Sequence, residues 1–390
     1  MIEKMPRPRR RVANPIQAAV ERWLASVDGH DTDAPGSSSW QADLLDSTPK
    51  RFTIYEPMAL LPAGSFAGPT WTSELARREP QTVATLWELV LECLSKSAKA
   101  ALTNLAVNEG IPLLVAEGDG VENFRRSPSG LRMLFGNFGP ALTGVEAPSQ
   151  NDYSNALWVS TKQNGIHQTW APRWTMFSRG NVKEKARLLE FPGAKKRQGR
   201  STEEHVWAVD LYAGIGYFVF CYASLGLRVL CWEVNPWSVE GLQRGARANR
   251  WTVRVVQGGE LELPTRALTS GDEQIIVFLE SNERAWERIR ELQEAGSAQE
   301  IRHVNCGYLP TSEPTWEAAW QMTRLSSESR LHLHENVGVN DTEARRRSIQ
   351  RRFEDWSTAE ERGKEPVVEH VELVKTFAPG VWHCVFDVRV

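Results

Sequence analysis

Cysteine is scarce and poorly placed for crosslinking or metal binding. The five residues, at positions 93, 221, 231, 306 and 384, are odd in number and form no Cys-x-x-Cys spacing. That excludes a disulfide framework and a thiolate zinc site as organising principles. Cys221, Cys231 and Cys306 lie in apolar segments and read as small buried hydrophobes of a chain in a reducing compartment, with the cytoplasm as the expected location. Long hydrophobic runs are also missing. The most apolar stretch, residues 217–232, is broken by Arg228 after eleven residues, short of the roughly 20 that a bilayer requires. No long apolar segment follows the basic start, so neither a membrane span nor a secretory leader is expected. Arg7, Arg9, Arg10 and Arg11 fit a basic arm more simply than a mitochondrial or nuclear address. There is no internal repeat, and a net charge of −3 argues against a surface that is basic throughout.

What is present is uneven along the chain. Residues 1–50 are rich in Arg, Pro, Ser, Asp and Gly and read as partly mobile, with some helix at 16–25. Residues 51–150 mix short apolar runs with Pro and Gly, as in a small α+β domain whose clear helix spans 82–105. Residues 151–205 read as a connecting segment. Within it, 173–200 holds nine Lys or Arg against two Glu, a local excess of seven positive charges, which is either a solvated face or a polyanion-binding one.

From 206 to 390 short β-branched runs alternate with helical segments, the pattern of a parallel sheet covered by helices. Strands are expected at 206–211, 227–232, 252–257, 301–306 and 330–336. An antiparallel pair, 369–377 and 381–389, flanks Pro379-Gly380. Residues 261–300, with an apolar run at 275–279 and a charged helix at 283–294, are too long for an ordinary connection and read as an insertion.

The most informative stretch is Val209-Asp210-Leu211-Tyr212-Ala213-Gly214-Ile215-Gly216-Tyr217-Phe218. A strand ends in an acid, and a turn with two glycines then enters an apolar helix. Glycine permits unusual φ and close approach of a ligand to the backbone. Glu233 ends the next strand 23 residues after Asp210, where a carboxylate accepts hydrogen bonds from ribose hydroxyls. The third glycine of the dinucleotide fingerprint is missing and the pair follows an Asp, which favours S-adenosyl-L-methionine over NAD. The plainer alternative is a tight turn with a solvated Glu233. His332 and His334 alternate with leucines on a strand and fit packed, hydrogen-bonded histidines better than metal ligands; no metal is expected. Among the 16 tryptophans, Trp158, Trp170 and Trp174 stand near the basic run, where they are candidates for stacking on bases, while Trp207, Trp232 and Trp382 read as core.

Four segments in order carry a family resemblance over roughly residues 125–390. They are Trp170-Ala171-Pro172-Arg173-Trp174-Thr175-Met176-Phe177-Ser178-Arg179-Gly180-Asn181-Val182-Lys183-Glu184-Lys185; the Asp210 to Phe218 loop with Glu233-Val234-Asn235-Pro236; Asn305-Cys306-Gly307-Tyr308-Leu309-Pro310-Thr311-Ser312-Glu313; and His334-Glu335-Asn336-Val337. Together they resemble the wybutosine-synthesis aminocarboxypropyltransferases, relatives of the tRNA guanosine N1-methyltransferases. The resemblance implies a Rossmann-like class I methyltransferase sheet, mostly parallel with a C-terminal antiparallel hairpin, beside a smaller N-terminal α+β domain. It implies transfer of the 3-amino-3-carboxypropyl group from S-adenosyl-L-methionine to a carbon of a tricyclic base 3′ of the anticodon of tRNA(Phe). Methylthioadenosine is released, and the enzyme is expected to act as a monomer.

The same resemblance assigns residues. Ser178 and Lys185 match cofactor-contacting positions, with Lys185 a candidate partner of the methionine carboxylate and Ser178 near it. Asp210, Gly214 and Gly216 form the loop, with Asp210 a candidate for the ammonium end, and Glu233 matches the ribose-binding acid. Where the family has Gly-Asp-Asn facing the adenine after the third strand, this chain reads Gly258-Gly259-Glu260, with Glu260 the candidate substitute. Asn305 and Pro310 resemble the Asn–Pro element of the acceptor site. Four residues separate them here, against one in the methyltransferases, which favours the aminocarboxypropyl branch. Glu335 is a candidate proton acceptor. Arg173 and Arg179 are placed near the reacting base, and Lys195, Lys196 and Arg197 on tRNA phosphates. Methyl transfer by the same fold, or a tRNA-binding scaffold without catalysis, are the alternatives.

Overall fold

The structure, a computed structural model, describes residues 14–27, 37–109, 130–142, 147–191, 206–360, 363 and 365–390. Lys195, Lys196 and Arg197, and the N-terminal arginines, lie outside the described residues. The chain divides into two compact units, Met1–Ala141 with Ser154–Ser160, and Leu142–Tyr153 with Thr161–Val390.

In the first unit, helices α1 (Pro15–Val27) and α2 (Ser37–Asp46) precede strands β1 (Thr53–Tyr55) and β2 (Met58–Leu61). Helices α3 (Pro69–Arg77) and α4 (Pro80–Ala98) follow, then strands β3 (Asn104–Val107) and β4 (Arg132–Phe135). The four strands form one sheet in the order β1-β2-β3-β4. Ile16, Val20 and Trp23 of α1 are buried with Trp71, Leu86, Val90 and Leu105 in a single core. The helix expected at 16–25 is therefore a structural part of this unit. The helix expected at 82–105 ends earlier. Lys99 adopts φ +55° and returns its N–H to Ser95 O, a left-handed cap that closes the helix. The apolar residues after it pair as β3, because a short apolar run does not distinguish strand from helix by periodicity.

Helix α5 (Gln150–Asn155) and strand β5 (Val159–Gln163) each have residues in both units; β6 (Ile166–Trp170), the hairpin partner of β5, and α6 (Val182–Leu189) belong to the second. The large sheet is built from β7 (Trp207–Asp210), β8 (Arg228–Trp232), β9 (Val253–Val256), β10 (Ile275–Phe278), β11 (Ile301–Cys306), β12 (Arg330–Gly338), β13 (Val367–Ala378) and β14 (Val381–Arg389). Helices α7 (Val219–Ser224), α8 (Pro236–Ala248), α9 (Thr265–Leu268), α10 (Ala285–Glu294), α11 (Trp316–Met322) and α12 (Thr342–Ala359) connect them. Strand order is β13-β14-β12-β11-β7-β8-β10-β9. The six strands from β12 to β9 run parallel; β14 is antiparallel to β12, and β13 is antiparallel to β14. This is the expected fold class.

Alternation explains why the strands are apolar almost throughout. Trp207, Val209, Leu230 and Trp232 bury into one core, while Ala208, Val229 and Cys231 bury into a second core on the opposite face, as in a sheet covered on both sides.

Residues 261–300 are more than an excursion. Their apolar run is β10, inserted between β8 and β9 and parallel to both. Chain order does not reveal this, because β9 comes first in the sequence and still lies outermost. The sequence reverses direction between β7 and β11, and the crevice at such a switch point, outside the carboxyl ends of the strands, is where this architecture binds ligands.

Candidate active site

Asp210 ends β7 and Glu233 follows the last residue of β8, so two carboxylates stand at neighbouring strand ends. The turn between β7 and α7 needs its glycines. Gly216 has φ +91°, and a Cβ there would meet the Phe220 ring at 2.5 Å. The turn is tied to β8 by Ala213 N–H donating to Trp232 O at 2.9 Å. Glu233 accepts the N–H of Gly214 and of Asn235, each at 2.8 Å. Burial pushes its carboxyl up, and these N–H groups pull it back. Asn235 then caps α8 by accepting Trp237 N–H at 3.0 Å, with Pro236 in the first turn. The Glu-Val-Asn-Pro segment thus ends a strand, anchors the loop and starts a helix.

Asp210 is fully buried. Its Oδ1 accepts Tyr212 N–H at 3.1 Å and Asn305 Nδ2–H at 3.0 Å, while its Oδ2 is buried without a partner. Burial raises the carboxyl to about 6, against the pull of Asn305 and of the Tyr212 and Val219 N–H groups. Asn305, also fully buried, presents Oδ1 to His334 Nε2 at 3.2 Å, and His334 Nδ1 lies 2.9 Å from His383 Nε2. An amide oxygen only accepts, so His334 carries its proton on Nε2 and receives that of His383 on Nδ1. His383 Nδ1 is left buried without a partner. Asn305, expected at the acceptor site, is spent on holding Asp210.

The other strand histidines form a second buried chain. His303 Nδ1 lies 3.0 Å from His332 Nε2, and His332 Nδ1 lies 2.6 Å from Asp387. Asp387 also pairs with Arg187, which reaches Glu184 at 2.7 Å. Burial holds His303 and His334 well below the ordinary histidine range. Arg187 and Lys185, two cations of the basic run, are thereby internal, so the excess charge of 173–200 is not one solvated face.

Lys185 is 2% exposed. Its ammonium donates to Gln163 Oε1 at 3.1 Å and to Gln168 Oε1 at 2.5 Å, and lies 5.2 Å from the ring centres of both Phe177 and Tyr217. Burial lowers its pKa to about 8. Two of three N–H groups are spent on β5 and β6, and aromatic faces take the charge. Lys185, the candidate partner of the methionine carboxylate, thus has its ammonium held by Gln163, Gln168 and two aromatic faces. Ser178 donates its N–H to Tyr217 Oη at 3.1 Å, which joins the pre-sheet segment to the glycine turn. Its Oγ accepts from Lys375 Nζ at 2.7 Å. No sequence signal pointed to Lys375, a lone lysine in an edge strand.

Glu335, the candidate proton acceptor, is engaged by four donors. Its Oε1 accepts Thr311 Oγ1 at 2.9 Å, Ser312 N–H at 2.8 Å and Ser312 Oγ at 3.2 Å, and its Oε2 accepts Arg345 at 2.8 Å. With 3% exposure, it is the clamp that fixes the loop carrying Pro310, whose carbonyl accepts Asn336 N–H at 2.8 Å. Tyr308 of that loop stacks on Tyr212, 5.1 Å between ring centres.

Glu260 follows β9, the outermost strand, and its half-exposed side chain reaches Arg254 at 3.5 Å. The strand beside β8 is β10, and the residues after it are Leu279-Glu280-Ser281-Asn282. Asn282 Nδ2 donates to Leu211 O at 2.7 Å, and Glu280 accepts Trp232 Nε1 at 3.3 Å and Arg288. Glu260, the candidate substitute for the adenine contact, therefore follows a strand that is separated from β8 by β10.

Arg173 is half-buried with an Nε that meets no protein acceptor, and Arg179 is exposed at the turn before α6. Trp170 is buried against Phe177 and Trp174 stacks on Trp237, 5.2 Å between centres, so both are engaged inside the fold. Among the described residues no group of three or more His, Cys, Asp or Glu is arranged to hold a metal, and no helix is long and apolar enough to cross a membrane.

No family model matches the chain. It is 39% identical over 343 residues to tRNA wybutosine-synthesizing protein 2 of Schizosaccharomyces pombe, covering 87% of this chain and 72% of that protein. It is 33% identical over 388 residues to the protein of the same name from Saccharomyces cerevisiae, covering 89% and 75%. Among solved structures, P. horikoshii TYW2 in complex with MeSAdo superposes with a TM-score of 0.56 at 15% identity, over 96% of this chain and 98% of that one, a likeness of fold. The identity to the two yeast proteins, spread over almost nine-tenths of the sequence, places this chain in the tRNA wybutosine-synthesizing protein 2 family.

Proposed function

We infer that the chain transfers the 3-amino-3-carboxypropyl group of S-adenosylmethionine to a carbon of the tricyclic 4-demethylwyosine base in tRNA(Phe), with release of methylthioadenosine. One observation carries the geometric side of this reading. The glycine turn is bordered by a buried carboxylate with a bare oxygen, Asp210 Oδ2, and by a second carboxylate at the adjoining strand end, Glu233. The residues fit the cofactor: an orphaned anionic oxygen suits an ammonium, and Glu233 suits ribose hydroxyls. Loop 280–282, at the end of the strand beside β8, is the candidate adenine contact.

S-adenosylmethionine supplies an activated sulfonium with three electrophilic carbons. The carbon that reacts is the one aligned with the nucleophile, so the contribution of the protein is orientation. Asp210, fixed by Asn305 and Tyr212 N–H, positions the amino end. Glu233 fixes the ribose, and the clamp of Glu335 on the Pro310 loop shapes the acceptor side. The ring carbon gains a bond to the aminocarboxypropyl carbon as the bond to sulfur breaks, and the ring proton passes to solvent or to a base other than Glu335. Arg173 and Arg179 are proposed near the base, and Lys195, Lys196 and Arg197 on phosphates. Five free cysteines, four of them buried, suit a reducing cytoplasm, where the enzyme is proposed to act as a monomer.

The test is incubation with tRNA and labelled S-adenosylmethionine. Methylthioadenosine is the expected product. S-adenosylhomocysteine would identify a methyltransferase instead, and neither product would identify a binding scaffold.

A further inference from the structure

The Lys375 ammonium is unusual for its surroundings. It lies on β13, opposite His383 of β14, which in turn faces Asn336 at the end of β12. Its Nζ donates to Ser178 Oγ at 2.7 Å, and Ser178 donates its own N–H to Tyr217 Oη at 3.1 Å, within the glycine turn. The stem is held along the backbone of Gly180, where a Cβ would come within 2.4 Å of Lys375 Cδ. Among the described residues no carboxylate pairs with it, and burial, unopposed by any anion, lowers its pKa. A single neutral hydroxyl is poor compensation for a largely desolvated cation.

The opposite situation holds at the other end of the same turn. Asp210 Oδ2 is buried without a donor, and Asn305, His334 and His383 link Asp210 to the strand that faces Lys375. A cation lacking an anion and an anion lacking a cation border one glycine turn. That pair of vacancies in hydrogen bonding is complementary to a zwitterion, the α-ammonium and α-carboxylate of an amino acid. The Lys185 ammonium, by contrast, is already held by Gln163, Gln168 and two aromatic faces.

We propose that Lys375, presented by the C-terminal hairpin and steered by Ser178 and Gly180, binds the α-carboxylate of the aminocarboxypropyl group of S-adenosylmethionine. The proposal rests on the cofactor reading above and adds to it a binding residue from the antiparallel edge of the sheet. It also makes Ser178 a positioning residue that acts through Lys375.

Calorimetry with two nucleosides tests it, because methylthioadenosine carries the adenosine and sulfur but no carboxylate. Lys375→Met is expected to lose roughly 10–100-fold in affinity for S-adenosylmethionine, as for loss of a hydrogen bond to a charged group. Its affinity for methylthioadenosine should be unchanged, which also reports that the variant is folded. Lys375→Arg, which keeps the charge, should recover part of the loss. Equal losses for both nucleosides would overturn the proposal in favour of a role in shaping the turn. Unchanged affinity for S-adenosylmethionine with weakened tRNA binding would overturn it in favour of a phosphate contact. If the unaltered protein bound neither nucleoside, the cofactor reading and this proposal would fall together, whereas unaltered protein that binds both and a variant that matches it would remove only the proposal.

Discussion

Asn305 Nδ2 donates to Asp210 Oδ1 at 3.0 Å, joining the ends of the neighbouring strands β11 and β7. The bond uses one carboxylate oxygen and leaves the other, buried and bare, beside the glycine turn. A residue expected at the acceptor site therefore fixes the acid at the end of β7.

The first expected outcome concerns that acid. Burial holds Asp210 at about 6, and a bound ammonium favours its ionised form. Affinity for S-adenosylmethionine should fall as pH drops through about 6, by up to about tenfold per pH unit. Asp210→Asn should weaken binding by about 1.5–3 kcal/mol and flatten the profile. Calorimetry between pH 5 and 8 checks this, and a profile with the same slope in both proteins would remove Asp210 from the ammonium role.

Adenosine contacts separate by strand. Glu233→Ala and Asn282→Ala should each cost about 1–3 kcal/mol in binding of both S-adenosylmethionine and methylthioadenosine, since both ligands carry the ribose and adenine. Glu260→Ala should leave both affinities unchanged. A loss confined to Glu260→Ala would return the adenine to the loop after β9.

The Glu335 clamp is expected to act on stability. Glu335→Gln loses charge-assisted bonds to Ser312 and Arg345 and should lower unfolding free energy by about 1–3 kcal/mol. The shape of the pH–rate profile should not change. Disappearance of an acidic limb with normal stability would restore Glu335 as the proton acceptor.

Stability itself should fall on acidification. His303 and His334 are held well below their ordinary range and His383 at about 4. The unfolded chain therefore takes up protons that the folded one refuses. Stability present above about 6.5 is lost as pH falls, by up to about 1.4 kcal/mol per pH unit for each histidine. Asp387, depressed chiefly by His332 and Arg187 against its burial, adds a loss of the same sign below the ordinary carboxylate range. Asp210 and Glu233, whose carboxyls burial raises, run the other way and lose their contributions as pH rises, Asp210 through about 6, two groups against three histidines. Thermal melts at pH 7.5 and 5 should show a lower midpoint at pH 5, and equal midpoints would refute the buried neutral histidines.

For tRNA, replacing Lys195, Lys196 and Arg197 together by Ala should lower affinity and reduce the slope of binding against salt, because fewer phosphates are neutralised and fewer counterions released. S-adenosylmethionine binding should persist. Filter binding across a salt series decides, and an unchanged slope would move the phosphate surface elsewhere.

The sequence by itself determined the sheet and the cofactor loop. Val209 to Phe218 and the Glu-Val-Asn-Pro segment specify their own structure through strand alternation, positive-φ glycines and an Asn cap before Pro, all effects that act within a few residues. The hairpin around Pro379-Gly380 and the family resemblance were legible for the same reason. Tertiary structure alone decided the partners. That β10 enters the sheet ahead of β9 depends on pairing between segments distant in the chain, and it sets loop 280–282, not Glu260, at the end of the strand beside β8. Whether a lysine is free or spent also depends on non-local packing. Lys185 sits in a recognisable motif, yet β5 and β6 supply the amides that hold it. Lys375 sits in no motif, and only the fold sets it beside Ser178, with no carboxylate paired to it among the described residues.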